Sequence, residues 1–152
     1  MKCAIENTIK YIKFLAQSVG WFEPSCMASV MLMELGIPVN FDGFIYARDV
    51  ILAMYYDPLI TLNEAYIIVS ERYQGKANDE QIGASIRNAI TEAWKHADKE
   101  VWRRYFPKLI AEEPEKPSVA NFVNGLVRFM EMWYSCAVAY ERHGEEAGYG
   151  ND

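Results

Sequence analysis

Apolar residues recur at spacings of three and four along most of the chain, which is the periodicity of amphipathic helices. Gly20, Gly36 and Pro58 interrupt this periodicity, and each interruption predicts the end of a helix or a connection between two helices. The pattern therefore predicts a compact all-α domain of six to seven helices. The predicted helices run approximately over residues 5–18, 25–35, 43–56, 62–73, 78–95, 99–105 and 118–142.

Polar residues with a capping function stand at the starts of several of these helices. Thr61 with Glu64, and Asn78 with Gln81, have the spacing of a capping box, in which two side chains satisfy the free amides of the first turn. Ser25 is predicted to cap the helix that follows the connector WFEP. These signals fix the predicted starts more firmly than the periodicity alone.

Two consecutive helices, over residues 62–73 and 78–95, are joined by the polar stretch QGKA. Gly75 in this stretch can adopt the positive φ that often ends a helix. This arrangement is the outline of a helix-turn-helix, whose second helix reads nucleic acid when the motif binds DNA. The side of that helix predicted to be buried carries Ile82, Ile86, Ala89, Ile90, Ala93 and Trp94. The opposite side presents Glu80, Ala84, Arg87, Asn88, Thr91 and Lys95.

Three stretches carry a resemblance to a known family, namely MELGIPVNFDGFIYARDVILAMYYDP, IRNAITEAW and KPSVANFVNGLV. From about Cys26 to Met130, the chain resembles the C-terminal effector domain of the master response regulator of endospore formation, a helical DNA-binding domain. The resemblance implies that double-stranded DNA is the partner. It also implies that the helix over residues 43–56 is a scaffold that packs behind the two helices of the helix-turn-helix.

The resemblance is incomplete on the reading helix itself. The family reads its DNA with a Glu-Arg pair and a further Arg one turn on, and the aligned positions here are Gly83, Ala84 and Arg87. A following His is replaced by Asn88, whose amide can pair with adenine. Each lost contact is worth about 1–3 kcal/mol of base discrimination, so we expect an altered DNA site. A glycine at position 83 lowers helix stability by about 1 kcal/mol relative to alanine. Its presence indicates either that another group approaches closely or that sequence drift has altered this face.

Basic residues follow the reading helix in a cluster, namely Lys95, Lys99, Arg103, Arg104 and Lys108. One interpretation is a phosphate clamp that fixes the register of DNA without reading its sequence. The other is a solvated face in which Asp98 and Glu100 form local ion pairs with the cations. The candidate DNA-binding residues are therefore Arg87, Asn88, Gln81 and Thr91 on the reading helix, and Lys76, Lys95, Lys99 and Arg103 around it.

The composition constrains this function. The 152 residues carry a formal net charge of −6 at pH 7. Because phosphate neutralisation supplies most non-specific DNA affinity, a local basic patch has to provide it here. Cys3, Cys26 and Cys136 lie far apart without paired spacing, which favours reduced thiols in a cytoplasmic protein. No uncharged apolar run approaches the roughly 18 residues that a membrane span needs, so no membrane partner is expected.

The sequence predicts no enzymatic chemistry. Its two histidines, His96 and His143, are isolated, and no Walker loop, dinucleotide fingerprint or zinc pattern is present. His96 is better explained by its place at the negative end of the reading helix. The acidic pairs lie in loop or tail sequence, where nothing would raise a carboxyl pKa for acid catalysis. We therefore expect no enzyme, no cofactor, no metal and no small-molecule substrate.

The resemblance also suggests a division of the chain. The family's effector domain follows a phosphorylatable receiver domain, whereas about 24 residues precede the match here, so no switching by aspartyl phosphorylation is expected. We assign residues 1–24 to an N-terminal helix and connector, residues 25–131 to the effector-like domain, and residues 132–152 to a helical extension with an acidic tail.

Two functions remain open at the level of the sequence. The first is a sequence-specific transcription regulator with an altered DNA site; the second is an interaction module that kept the fold, lost DNA and acts by homo- or hetero-association. We also expect the two ends to pack together or to form a homodimer contact. The apolar stripe of the first helix is Ile5, Ile9, Ile12 and Leu15, and the extension adds Trp133, Tyr134, Ala137, Val138 and Tyr140.

Overall fold

The computed structural model describes residues 23–107 and 115–149, with side chains described as far as residue 135. Six helices and no strands occur within these ranges, so the predicted all-α class is confirmed. The helix predicted over residues 5–18 lies outside the described residues. The helices are α1 (Pro24–Glu34), α2 (Asp42–Tyr56), α3 (Leu62–Arg72), α4 (Asp79–Lys95), α5 (Lys99–Tyr105) and α6 (Val119–Tyr149).

Helix α1 begins two residues earlier than predicted, because its cap is Glu23 and not Ser25. The Glu23 carboxylate accepts a hydrogen bond from the backbone N–H of Cys26 at 3.3 Å and another from the Ser25 hydroxyl. Pro24 occupies the first helical position, where its missing N–H is no loss. The Ser25 hydroxyl is thus a donor to the cap and does not replace it.

The end of α1 follows the prediction. Gly36 has φ +80°, the left-handed conformation that glycine adopts without steric cost. Two hydrogen bonds close the turn, from Ile37 N to Leu32 O at 3.0 Å and from Gly36 N to Met33 O at 3.0 Å. This is a Schellman motif, and it directs the chain from α1 into α2.

Helix α2 is the centre of the fold, since it contacts α1, α3, α4 and α6. Its apolar residues Ala47, Val50 and Ile51 are fully buried. Near its start, Gly43 lies so close to α4 that an added Cβ would stand 2.2 Å from the Ser85 carbonyl oxygen. Helix α4 is therefore seated directly on the α2 backbone, as a scaffold role for α2 requires.

An aromatic cluster joins α5 to α4 and α6. The Trp102 ring is 1% exposed, and its centroid lies 5.1 Å from that of Trp94, 5.7 Å from Phe106 and 5.8 Å from Phe122. The Tyr105 hydroxyl donates to the carboxylate of Glu34 at the end of α1. Although α5 is short, these contacts hold it beside the end of α4.

Helix α6 is longer than predicted, because it continues to Tyr149 instead of ending near Arg142. The region expected to be an acidic tail thus contributes two further helical turns. Glu145, Glu146 and Ala147 are good helix formers, which compensates for the neighbouring glycines. The predicted start is confirmed, since the Ser118 hydroxyl accepts from the backbone N–H of Asn121 at 3.1 Å.

Candidate nucleic-acid interface

Helices α3 and α4 both begin with the capping boxes predicted for them. Thr61 Oγ1 accepts from Glu64 N at 3.2 Å, and Glu64 Oε1 accepts from Thr61 N at 3.5 Å. At α4, Asn78 Oδ1 accepts from Gln81 N at 2.8 Å, and Gln81 Oε1 accepts from Asn78 N at 2.9 Å. The cap therefore uses the side-chain oxygen of Gln81, and its amide nitrogen is the group that it can offer to DNA.

The turn between α3 and α4 is closed by a second Schellman motif. Gly75 N donates to Ser70 O at 3.0 Å, and Gln74 N donates to Glu71 O at 3.0 Å. The predicted positive φ at Gly75 is confirmed at +70°, but Gln74 before it is also left-handed, with φ +58°. Within the described residues, Gln74 is the one non-glycine residue in this conformation.

Replacing Gln74 with glycine is expected to stabilise the protein by about 1 kcal/mol, because a side chain in the left-handed conformation costs roughly 1–2 kcal/mol. Part of this gain is offset by the greater freedom of glycine in the unfolded chain. Urea denaturation monitored by circular dichroism measures the effect. Gly75→Ala is the opposing control and is expected to destabilise by a similar amount. A Gln74→Gly variant less stable than the wild type would show that the Gln74 side chain stabilises the turn.

A buried carboxylate fixes the end of α3 to α2. Asp49 is 3% exposed, and its oxygens accept from the Tyr73 hydroxyl at 2.5 Å and from Arg48 Nε at 3.1 Å. The Arg72 guanidinium adds a longer ion pair, at 3.9 Å. Burial, followed by the hydrogen bond to Asp49, raises the pKa of Tyr73 to about 12, so the phenol is neutral and serves as the donor. The first helix of the motif is thereby locked to the scaffold immediately before the turn.

The inward face of α4 matches its prediction closely. Ile82, Ile86, Ala89, Ile90 and Ala93 are buried, while Trp94 is half-buried. Gly83 is also buried, and a Cβ added there would lie 3.1 Å from Cε2 of Tyr66 on α3. Of the two explanations left open for Gly83, the structure therefore shows a close approach, and the approaching group is the Tyr66 ring.

The outward face of α4 exposes Arg87 and Asn88 next to each other. Arg87 also lies near the Tyr66 ring: burial raises the pKa of the Tyr66 phenol, and the positive charge of Arg87 partly opposes this shift. One turn further on, Thr91 Oγ1 donates to the Arg87 carbonyl at 2.9 Å, so the threonine hydroxyl is held against the helix. Two exposed polar side chains thus form the centre of the candidate reading surface.

Lys116 joins this surface from a distant part of the sequence. Its Nζ donates to Thr91 Oγ1 at 2.8 Å, although the two residues are 25 positions apart. Lys116 is exposed and precedes α6, so the start of that helix brings a cation beside the reading face. Apart from the position of Lys116 in the family-like stretch KPSVANFVNGLV, no pattern in the sequence predicts this placement.

The basic cluster after α4 is partly neutralised. Lys95 Nζ lies 3.2 Å from Glu92 Oε2, and Arg103 Nη1 lies 2.7 Å from Glu100 Oε1. Lys99 instead places its Nζ 5.8 Å from the ring centroid of Trp94, as a cation–π contact that leaves its charge intact. Local ion pairs are therefore present at two of the predicted cations, and Lys108 lies outside the described residues. Lys76, in the turn, is exposed.

The described part of the chain contains no group of three His, Cys, Asp or Glu side chains placed to hold a metal ion. None of the helices in the same part combines the length and the apolar character needed to cross a membrane.

Two helices joined by a tight turn, with the second anchored along one face and polar on the other, define a helix-turn-helix domain of the DNA-binding class. The family model for the Sporulation initiation factor Spo0A C terminal matches residues 28–130, about two thirds of the chain. The chain belongs to this family, so the resemblance inferred from the sequence is confirmed. The family is a DNA-binding transcription-factor domain of a sporulation regulator and is not an enzyme family.

Proposed function

We propose that this chain is a sequence-specific transcription regulator that reads a DNA site different from that of its relatives. The observation that carries the proposal is the composition of the outward face of α4. Arg87 and Asn88 are exposed at its centre, while Gly83 is turned onto Tyr66 and has no side chain to offer a base. A helix with this outward face can contact two neighbouring bases. It has no residues that correspond to the Glu-Arg pair with which the family reads its DNA.

The roles of these residues follow from their hydrogen-bonding groups. Arginine can donate two parallel hydrogen bonds to O6 and N7 of guanine, and asparagine can pair with N6 and N7 of adenine. Arg87 is therefore assigned to a guanine, and Asn88 to an adenine beside it. The Thr91 hydroxyl is held by the backbone of α4 and by Lys116, so its role is to position that lysine.

Phosphate contacts are assigned to the cations that border this face. Lys116 lies beside Thr91, Lys76 is exposed in the turn, and Lys99 keeps its charge over the Trp94 ring. Lys95 and Arg103 have a smaller role, because nearby glutamates already balance their charges. Since the whole chain carries −6, a few unbalanced lysines close to the reading helix give a weak and salt-sensitive non-specific attraction.

Arg87→Ala is expected to weaken specific binding by about 1–3 kcal/mol and to relax the preference at one base position. The site is first selected from random duplexes at about 50 mM salt, and affinities are then measured by fluorescence anisotropy across a salt series. Arg87→Lys is the matched control: it keeps the charge but loses the bidentate geometry, so the base preference relaxes while the salt dependence stays unchanged.

Lys116→Ala should weaken binding to all DNA sequences alike and reduce the salt slope by about 1.

The alternative function, an interaction module that no longer binds DNA, has support in the net charge and in the glutamates that pair with Lys95 and Arg103. The same experiment separates the two functions. If selection enriches no sequence and the wild-type chain shows no salt-dependent binding to any duplex, the interaction module is the correct reading.

A further inference from the structure

A shallow groove of about 550 Å³ lies at the end of α2 that is remote from Gly43. Three elements form it: the start of α1, the end of α2 with the turn after it, and the middle of α6. Its wall is mainly aromatic and apolar, and it includes one carboxylate. The residues that line it include Pro24, Tyr55, Tyr56, Pro58, Glu131 and Tyr134.

The aromatic side chains of this groove are unusually exposed for their size. Tyr56 is 67% exposed and Tyr134 is 51% exposed. The Tyr55 and Tyr56 rings meet edge to face, with centroids 5.5 Å apart, so they form one continuous apolar surface. An exposed apolar surface that forms a groove is typical of a docking site.

We propose that residues 1–22 of the same chain occupy this groove. The first support is the position of the chain, because Pro24 lines the groove and these residues join it directly through Glu23. No linker therefore has to span the surface of the domain. The helix predicted over residues 5–18 would be about 21 Å long at 1.5 Å per residue, a length suited to the face of a small helical domain.

The second support is chemical complementarity. Residues 1–22 carry the apolar stripe Ile5, Ile9, Ile12 and Leu15, followed in the sequence by Trp21 and Phe22. They contain three lysines and one glutamate, a net charge of +2, whereas the rest of the chain carries −8. The carboxylate of Glu131 in the groove offers a partner to one of the lysines. Apolar contact and opposite charge therefore favour the same placement.

The test measures the folding equilibrium constant of the full-length chain by urea denaturation. Ile9→Gln removes the middle of the stripe and is expected to lower this constant roughly tenfold or more, which corresponds to the loss of one buried aliphatic side chain. Lys10→Gln, on the adjacent polar face, is the matched control and should change the constant less than about twofold. Light scattering should give the 17.5 kDa mass of one chain for every variant.

The groove side is tested by Tyr56→Ser, which is also expected to lower the folding constant roughly tenfold because docking buries this ring. Leu59→Ser is the matched control: Leu59 is 92% exposed and does not line the groove, so its replacement should have less than about a twofold effect. In the Ile9→Gln and Tyr56→Ser double variant, the second change should add less than about twofold, because the first has already released the segment.

Three results would overturn the proposal. Equal effects of Ile9→Gln and Lys10→Gln would show that the stripe is not buried. Large but additive effects of Ile9→Gln and Tyr56→Ser would place the segment elsewhere on the domain. A wild-type mass of two chains that falls to one in Tyr56→Ser would show that a second copy fills the groove.

If Ile9→Gln does not fold, Ile9→Ala replaces it, and Tyr56→Ser, a surface change, tests the groove independently. Because the groove and Arg87 lie on different elements, DNA affinity reports separately on the proposed function.

Discussion

Replacing Gly43 with alanine is expected to destabilise the protein by about 3 kcal/mol or more, at the upper end of the cost of overpacking a core. The new Cβ would lie 2.2 Å from the carbonyl oxygen of Ser85 and 2.8 Å from Cβ of Ala89. Both atoms belong to or adjoin the α4 backbone, so no side-chain rotation can relieve the contact. The reading helix as a whole would have to move away from α2. The free energy of unfolding in urea measures this loss.

Two other helical glycines provide controls for this prediction. A Cβ at Gly83 would lie 3.1 Å from the Tyr66 ring, and one at Gly125 would lie 2.6 Å from the Phe106 ring. These obstacles are side chains that can shift, and alanine gains about 1 kcal/mol of helix propensity over glycine. Gly83→Ala is therefore expected to stay within about 1 kcal/mol of the wild type, with Gly125→Ala between the two. Equal losses at Gly43 and Gly83 would contradict the close seating of α4 on α2.

Trp102→Ala is expected to cost about 3–5 kcal/mol, because it empties the centre of the aromatic cluster that joins α4, α5 and α6. The rings of Trp94, Phe106 and Phe122 all have their centroids within 5.8 Å of the Trp102 ring. The loss would appear as a lower urea midpoint and as a weaker near-ultraviolet circular dichroism signal from the remaining aromatic residues.

Trp102→Phe is the control that separates packing from hydrogen bonding. The indole Nε1 of Trp102 is buried and has no hydrogen-bond acceptor among the described residues. Phenylalanine removes this unsatisfied donor, whose burial costs about 1–3 kcal/mol, and keeps an aromatic ring in the site. The loss of unfolding free energy in Trp102→Phe is therefore expected to be less than about half of the loss in Trp102→Ala. An equal loss in the two variants would show that the indole nitrogen has a partner in the folded protein.

Local chemistry made several elements of the fold predictable from the sequence. The boxes at Thr61 and Asn78 were correct because a capping box needs only residues three apart. The predicted cap of α1 was wrong because residue type favours Ser25, whereas the carboxylate of Glu23, two positions earlier, accepts the hydrogen bond from Cys26 N. The predicted end of α6 was wrong because Glu145, Glu146 and Ala147 favour a helix and continue it past residue 142 to Tyr149.

The candidate site was predictable only in part, for a related reason. Helical periodicity separates the faces of α4, so Arg87 and Asn88 could be placed on the outward side from sequence alone. Contacts between distant residues leave no such periodic signal. The approach of Tyr66 to Gly83 depends on how α3 crosses α4, and the bond from Lys116 to Thr91 depends on the return of the chain before α6. Neither follows from spacing along one helix.

The buried Asp49 carboxylate orders the surface that would contact DNA. Because it holds Tyr73 at the end of α3, the turn and the reading helix are set in place before any duplex arrives. A surface that is already ordered loses little conformational entropy on association, so more of the contact free energy is expressed as affinity. Association would then be limited by the encounter of two preformed partners and not by a folding step, so its rate would fall as added salt screens the attraction between them.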